Sequence, residues 1–279
     1  MGMDRMQLLF SPLFSGSSGN AIYVGDGESG VLVDAGVSCT RIVAELGKIG
    51  VKPDSLKGLL ITHEHADHIA GAGILSRKFD LPIFATEGTW RGMEEKLGAV
   101  AAKNIRLVDP SQDFFLGGMN IVPFALPHDA MEPCGYSFYL GGMKASIATD
   151  IGYVKDSWVS AVSGSDIVLL ESNYDPDMLK AGKYPYSLKT RILGRKGHLS
   201  NDDAGTAACR LVSSGTRTLI LGHLSKENNF PELAKQCTVC ALREAGVDPD
   251  KDISLSIASR DHTSGLFALR DGVAAERSF

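Results

Sequence analysis

The chain has 279 residues, 44% of them hydrophobic, enough apolar material to bury a core, which excludes a mainly disordered chain. No run approaches the ~18 consecutive apolar residues of a membrane span, and residues 1–7 offer neither an apolar signal stretch nor a Ser or Thr at position 6 for myristoylation, so a cytoplasmic protein is expected. The net charge of −5 excludes a globally basic nucleic-acid footprint, and five cysteines, an odd number, exclude a disulfide framework.

Strands separated by tight turns are expected first, at 8–10, 21–24 and 31–33. The last, Val31-Leu32-Val33, is an apolar run of the kind buried on both faces. Residues 38–49 carry helical spacing (Ile42, Val43, Leu46, Ile49) behind a Ser38 cap. A strand at 58–62 runs directly into a histidine-rich loop. A helix at 69–78, a strand at 82–85 and a helix at 86–97 follow. The middle of the chain is strand-rich, at 105–108, 119–125, 136–140, 144–148 and 167–170. Then come a helix at 202–213, a strand at 218–221, a helix at 231–245, a strand at 253–257 and an edge strand at 265–269. Cys237 and Cys240 lie within the helix at 231–245 and are expected to pack there, with no second pair to complete a zinc site. Strands and helices alternate, with antiparallel meanders between them. That pattern predicts an α/β fold of two mixed sheets packed face to face with helices outside, forming a single domain over 1–279.

The densest chemistry is His63-Glu64-His65-Ala66-Asp67-His68, three of the seven histidines and an aspartate within six residues directly after a strand. A loop leaving a strand end can aim several side chains at one point while the sheet fixes their origin. Imidazole and carboxylate donors suit Zn²⁺, Mn²⁺ or Fe. Three later strand ends each present one more ligand type: His128 after Leu126-Pro127, Asp150 after Ala148-Thr149, and His223 after Leu221-Gly222. With the cluster they make a consistent set of seven ligands, enough for two divalent ions.

This pattern, preceded by Asp34, resembles the metallo-β-lactamase superfamily over nearly the whole chain. The resemblance implies an αββα four-layer sandwich. It implies that His63, His65 and His128 bind one ion, that Asp67, His68 and His223 bind the other, and that Asp150 bridges both. Asp34 then steadies the histidine loop. Ser15-Gly-Ser-Ser-Gly-Asn20, Ala148-Thr-Asp-Ile-Gly-Tyr153, Leu169-Leu-Glu-Ser-Asn-Tyr-Asp175, Gly197-His-Leu-Ser-Asn201 and His223-Leu-Ser-Lys-Glu-Asn-Asn229 are similar, more narrowly, to the YycJ (WalJ) family. That likeness implies a nuclease acting 5′→3′ on DNA ends. Only 22 positions separate His128 from Asp150 and only 73 separate Asp150 from His223, which leaves no room for a β-CASP insertion.

In such an enzyme Asp67 orients the nucleophile as well as binding metal. His198 protonates the leaving group or contacts a phosphate, and Glu171 orients His198. Residues 178–201 hold six basic side chains and no acid, whereas the other 255 residues carry net −11. Lys189, Arg191, Arg195 and Lys196 are therefore candidates to track a phosphate backbone, with Tyr184 and Tyr186 beside them to stack on bases. Ser17, Ser18 and Asn20 lie in a loop able to turn backbone N–H groups toward an anion. Two other readings stay open: a thioester or lactone hydrolase like glyoxalase II, and a regulatory protein that binds DNA or a partner without catalysis.

Overall fold

Burial along the first strand shows why this sequence needs layers on both sides of a sheet. In β1 (Leu8–Phe14) every residue is buried, with Leu8 and Phe10 in one core and Leu9 and Leu13 in another. A strand apolar on both faces must be covered on both. The computed structural model, which describes residues 6–270 and 273–277, does this with two sheets and two helical layers.

The first sheet contains β1, β2 (Ala21–Gly25), β3 (Gly30–Val33), β4 (Leu56–Leu60), β5 (Ile83–Ala85) and β6 (Ile105–Leu107) side by side in chain order. The second contains β7 (Phe114–Leu116), β8 (Met119–Ala125), β9 (Cys134–Leu140), β10 (Met143–Ala148), β11 (Ile167–Glu171), β12 (Thr218–Gly222) and β13 (Ser254–Ile257), also in chain order. The chain then returns to the first sheet. There β14 (Leu266–Arg270) pairs with β1, and β15 (Val273–Arg277) pairs outside β14. In each sheet an antiparallel part gives way to a parallel part: β3 through β6 in the first, β10 through β13 in the second.

Alternate residues divide between an inter-sheet core and two outer cores. Phe10, Val31, Val33 and Leu60 of the first sheet meet Phe138, Ile147, Leu169 and Ile220 of the second. Leu32 and Leu59 turn outward against α1 (Cys39–Lys48), α3 (Ala72–Phe79) and α4 (Glu87–Leu97). Leu170 and Leu221 turn outward against α5 (Asp156–Val162), α8 (Asn201–Ser213) and α9 (Pro231–Glu244). This is the expected αββα sandwich. The helices start where capping chemistry allows: Ser38 accepts from the Arg41 amide and Ser200 from the Asp203 amide.

Three local expectations change. The helix at 69–78 is two pieces, α2 (Ala66–Ile69) and α3, separated by Gly71, whose missing Cβ would lie 2.3 Å from the Val37 carbonyl oxygen. The strand near 265–269 is not the edge of its sheet, because β15 covers it. The basic segment, to which no element was assigned, forms α6 (Pro176–Ala181) and α7 (Tyr186–Leu193), so Tyr186 opens a helix. The Cys237/Cys240 pair sits on α9, and among the described residues no cysteine belongs to a group able to hold a metal. Among the described residues no helix is long and apolar enough to cross a membrane.

Candidate metal centre

Six side chains reach the site from strand ends at one rim of the sandwich. Asp34 follows β3, His63 follows β4, His128 follows β8, Asp150 follows β10, Glu171 ends β11 and His223 follows β12. Parallel strands place their carboxyl ends together, where open α/β sheets bind ligands. Three of these residues turn the chain sharply: Asp34, Asp150 and His223 have φ of 62°, 62° and 55°, in the left-handed region that costs a non-glycine residue about 1–3 kcal/mol. Hydrogen bonds hold Asp34 and His223 there. The Asp34 amide donates to the Leu60 carbonyl (2.8 Å), and the His223 amide donates to Ser15 Oγ (2.9 Å).

The donor atoms converge. His63 Nε2 is 3.0 Å from His65 Nδ1, and His128 Nε2 is 3.3 Å from that same atom. His68 Nε2 and His223 Nε2 each lie 3.7 Å from Asp67 Oδ2. Asp150 stands between the two groups, with Oδ1 3.7 Å from His128 Nε2 and Oδ2 3.4 Å from His68 Nε2. Ligands bound at about 2.0–2.1 Å around one tetrahedral ion would be separated by about 3.3 Å, close to these spacings. His63/His65/His128 and Asp67/His68/His223 are each compact enough to share a cation, and His63/His68/Asp150 links them. Asp150 Oδ2 and His223 Nε2 are buried without a hydrogen-bond partner. Unpaired polar atoms cost free energy when buried, and a cation would satisfy both at once. The donor set fits a divalent metal.

The surrounding groups fix each ring. The ring nitrogens Nδ1 of His68, His128 and His223 are engaged by Asp34 Oδ2 (2.8 Å), the Gly197 carbonyl (3.0 Å) and Glu171 Oε1 (2.8 Å). A donor N–H at Nδ1 leaves Nε2 as the free lone pair, the tautomer a metal ligand needs. Asp34 also accepts from the Thr62 amide (2.8 Å) and the Thr62 hydroxyl (2.9 Å), so one carboxylate ties the histidine loop to β4. Glu171 is fully buried. Its Oε1 also receives His198 Nδ1 at 2.8 Å, and its Oε2 accepts the Ile151 and Leu199 amides.

Electrostatics differ between the two groups. Burial and the neighbouring rings hold His63 well below the usual imidazole range, and burial lowers His128. Burial would lower His68 as well, but the carboxylates of Asp150, Asp34 and Asp67 outweigh it and lift that ring to about 9. For His223 the same contest, with Asp150, Asp67 and Glu171, also ends well above the ordinary value. Burial opposes ionisation of Asp67 and Glu171, yet the facing histidines hold both below the usual carboxylate range.

A model of the β-lactamase superfamily domain matches residues 30–224. Exodeoxyribonuclease YycJ of Bacillus anthracis is 39% identical over 241 residues, spanning 86% of this chain and 91% of that one. Exodeoxyribonuclease WalJ of Streptococcus pneumoniae D39 is 38% identical over 266 residues, 95% of this chain and 99% of the other. The chain belongs to the β-lactamase superfamily and, within it, to the YycJ/WalJ family. The crystal structure of the metallo-β-lactamase fold protein YhfI from Bacillus subtilis covers 92% of this chain and 98% of its own, with a TM-score of 0.70 at 17% identity, a likeness of fold alone. Divalent-metal binding follows from that fold together with the clustered donors.

In this YycJ/WalJ chain the other candidates divide. Ser17, Arg191 and His198 line a cavity of about 230 Å³ together with Asp67, Asp150 and His223. Arg191 enters it from α7 already paired with Asp129 (Nη2 to Oδ1 3.1 Å). Tyr184 also lines that cavity, whereas Tyr186 lies on the opposite side of α7, beside Lys189. Lys189 Nζ donates to the Lys180 carbonyl (2.6 Å), Arg195 stacks 4.3 Å over the Tyr153 ring, and Lys196 and Ser18 are exposed. Asn20 is 2% exposed. Its amide Nδ2 lies 3.1 Å from His68 Nε2, and its Oδ1 accepts the Gly16 amide. It therefore holds loops together beside the candidate metal donors. Sequence reasoning missed Thr62, which bridges Asp34 to the cluster, and Asp129, whose Oδ1 is 3.3 Å from His128 Nε2. Asp129 directly follows His128, and that adjacency was the available signal.

Proposed function

We propose that this chain is a two-metal phosphodiesterase, an exonuclease acting on DNA ends, built as one domain over 1–279 without a β-CASP insertion. The observation that carries the proposal is the convergence of seven His and Asp donors, two of them with buried unpartnered atoms, in a chain 38–39% identical to relatives named exodeoxyribonucleases. His63, His65 and His128 hold one ion, Asp67, His68 and His223 the other, and Asp150 serves both. Zn²⁺ and Mn²⁺ suit these donors, with Fe a third candidate. Divalent cations bound there acidify water and stabilise charge on phosphate oxygens.

The remaining steps belong to protein groups. Asp67 directs the attacking water toward phosphorus. His198, held through Nδ1 by Glu171, turns Nε2 to the cavity and gives its proton to the departing ribose oxygen. Arg191 contacts the phosphate beside the scissile bond once Asp129 releases it, and Ser17 meets the same strand. Lys189, on the other side of α7, and Arg195 and Lys196, in the turn after it, meet more distant phosphates. A complete donor set supports chemistry over a binding-only role. The 5′→3′ direction is the finest part of the proposal. Duplexes labelled at either the 5′ or the 3′ end, incubated with the purified chain and Mn²⁺ or Zn²⁺, test it. Early release of the 5′ label is expected. No release from any end across both metals contradicts the nuclease, and early release of only the 3′ label contradicts the polarity.

A further inference from the structure

A second cavity, about 510 Å³, adjoins the metal centre on the His223 side and falls within the ~300–1,000 Å³ range of small-ligand sites. The two cavities share Ser225 in their walls, and Ser15, in the wall of the second, is the residue that accepts the His223 amide. Among the described residues no acid lines the second cavity. Lys226, Arg260 and the exposed ring of Phe230 do. Among the described residues neither Lys226 nor Arg260 pairs with a carboxylate, whereas Arg191, Arg210 and Arg243 all do.

Arg260 is held in place for its task. Its Nη2 donates to the Leu224 carbonyl at 2.8 Å, and its Nη1 lies 3.5 Å from Ser17 Oγ, in the wall of the metal cavity. The side chain lies across Gly16, where a Cβ would come within 3.1 Å of Nη1. One guanidinium thus stands between the two cavities with donors to spare. Phe230 precedes α9, so the positive end of a 14-residue helix adds to the same field; Glu232, in its first turn, does not line the cavity. Unpaired cations beside an exposed aromatic ring are the elements of single-strand recognition, phosphate on charge and base on ring.

We propose that this cavity is a nucleotide subsite for the strand being cut: the base of a nucleotide next to the scissile bond stacks on Phe230 and its phosphate meets Lys226 and Arg260. The assignment rests on the nuclease reading for its substrate class.

The test uses the metal-loaded full chain and, as probe, 2-aminopurine deoxyriboside 5′-monophosphate, whose fluorescence falls on stacking. Inorganic phosphate is the comparator. Phe230→Ala is expected to weaken the probe about 5- to 100-fold and abolish its quenching, while phosphate binding stays as in the parent. Phe230→Trp restores the quenching. Lys226→Glu weakens both ligands. Both side chains are exposed, and unchanged thermal midpoints confirm that the variants fold. Probe affinity within twofold of the parent in both Phe230→Ala and Lys226→Glu overturns the subsite, as does a parent chain that fails to bind the probe at millimolar concentration. The two readings separate cleanly. A chain that degrades duplexes but binds the probe without Phe230 and Lys226 loses only the subsite. A chain that binds the probe through them yet degrades no duplex loses only the nuclease.

Discussion

A single buried carboxylate, Glu171, sets two rings at once. Because Oε1 receives both His198 and His223 while Oε2 receives two backbone amides, an amide side chain cannot satisfy all four donors. Glu171→Gln should lower turnover by about 100-fold or more and weaken metal binding about 10- to 100-fold. Turnover that falls with metal affinity unchanged would mean that only the His198 contact matters. Asp34→Asn should weaken metal binding by a similar factor, measured by competition with a chromogenic chelator, because His68 Nδ1 and both Thr62 donors share its two oxygens. The candidate ligands were readable in the sequence because His63, His128, Asp150 and His223 each sit one to three positions beyond a strand and His65, Asp67 and His68 follow His63 in the same loop. Asn20 was not. Its role depends on Gly36, where a Cβ would lie 1.6 Å from the Asp67 carbonyl oxygen, and on contacts made 47 and 48 positions away, which no local pattern carries.

At the scale of elements, tight backbone contacts hold the turn after α7 in place. A Cβ at Gly152 would fall 2.2 Å from the Arg195 carbonyl, and the Gly197 carbonyl in the same turn engages His128. Gly152→Ala should cost about 1–3 kcal/mol, lowering the thermal midpoint by several degrees, and should reduce activity through His128 and His198. A midpoint within a degree of the parent would show that the turn yields without cost. At α1, Glu45 accepts Lys48 Nζ (2.7 Å) and the Thr263 amide (2.8 Å), tying the helix to the segment before β14. Burial opposes its charge, but these two partners prevail and hold its carboxyl below the ordinary value. Its stabilisation is therefore full above the unfolded-state pKa and disappears as pH falls through the lower folded value. Glu45→Gln should cost about 1 kcal/mol at pH 7 and almost nothing near pH 3, read from urea denaturation at both pH values. The long buried strands and capped helices were legible because burial on two faces or on one stripe leaves a period. The short α6 and α7 bury little, only Leu179 and Ile192 respectively, so composition showed their charge and not their form.

At the scale of the molecule, the alternation of strands and helices already specified two covered sheets, and the structure differs chiefly at the margins, where β15 caps the first sheet. The charge asymmetry was legible as well, but its placement was not. The six basic residues of 178–201 are spread over both sides of α7, while Lys226 and Arg260, outside that segment, line the cavity beside the metal centre and, among the described residues, pair with no carboxylate. DNA binding should weaken with salt at a log–log slope near −0.9 per duplex phosphate neutralised, and Arg191→Gln should flatten it by about one contact. An unchanged slope would place Arg191 off the DNA path.

If seven convergent donors hold divalent ions on which phosphodiester cleavage depends, ions and cleavage should be lost together and return together. Elemental analysis of the purified chain, run beside its release of nucleotides from labelled duplex before and after chelation, decides this. Two divalent ions per chain are expected, with release abolished when they are removed and recovered when Mn²⁺ or Zn²⁺ is returned. A chain that retains no divalent ion under any loading condition, or one whose nucleotide release continues undiminished after chelation, contradicts it.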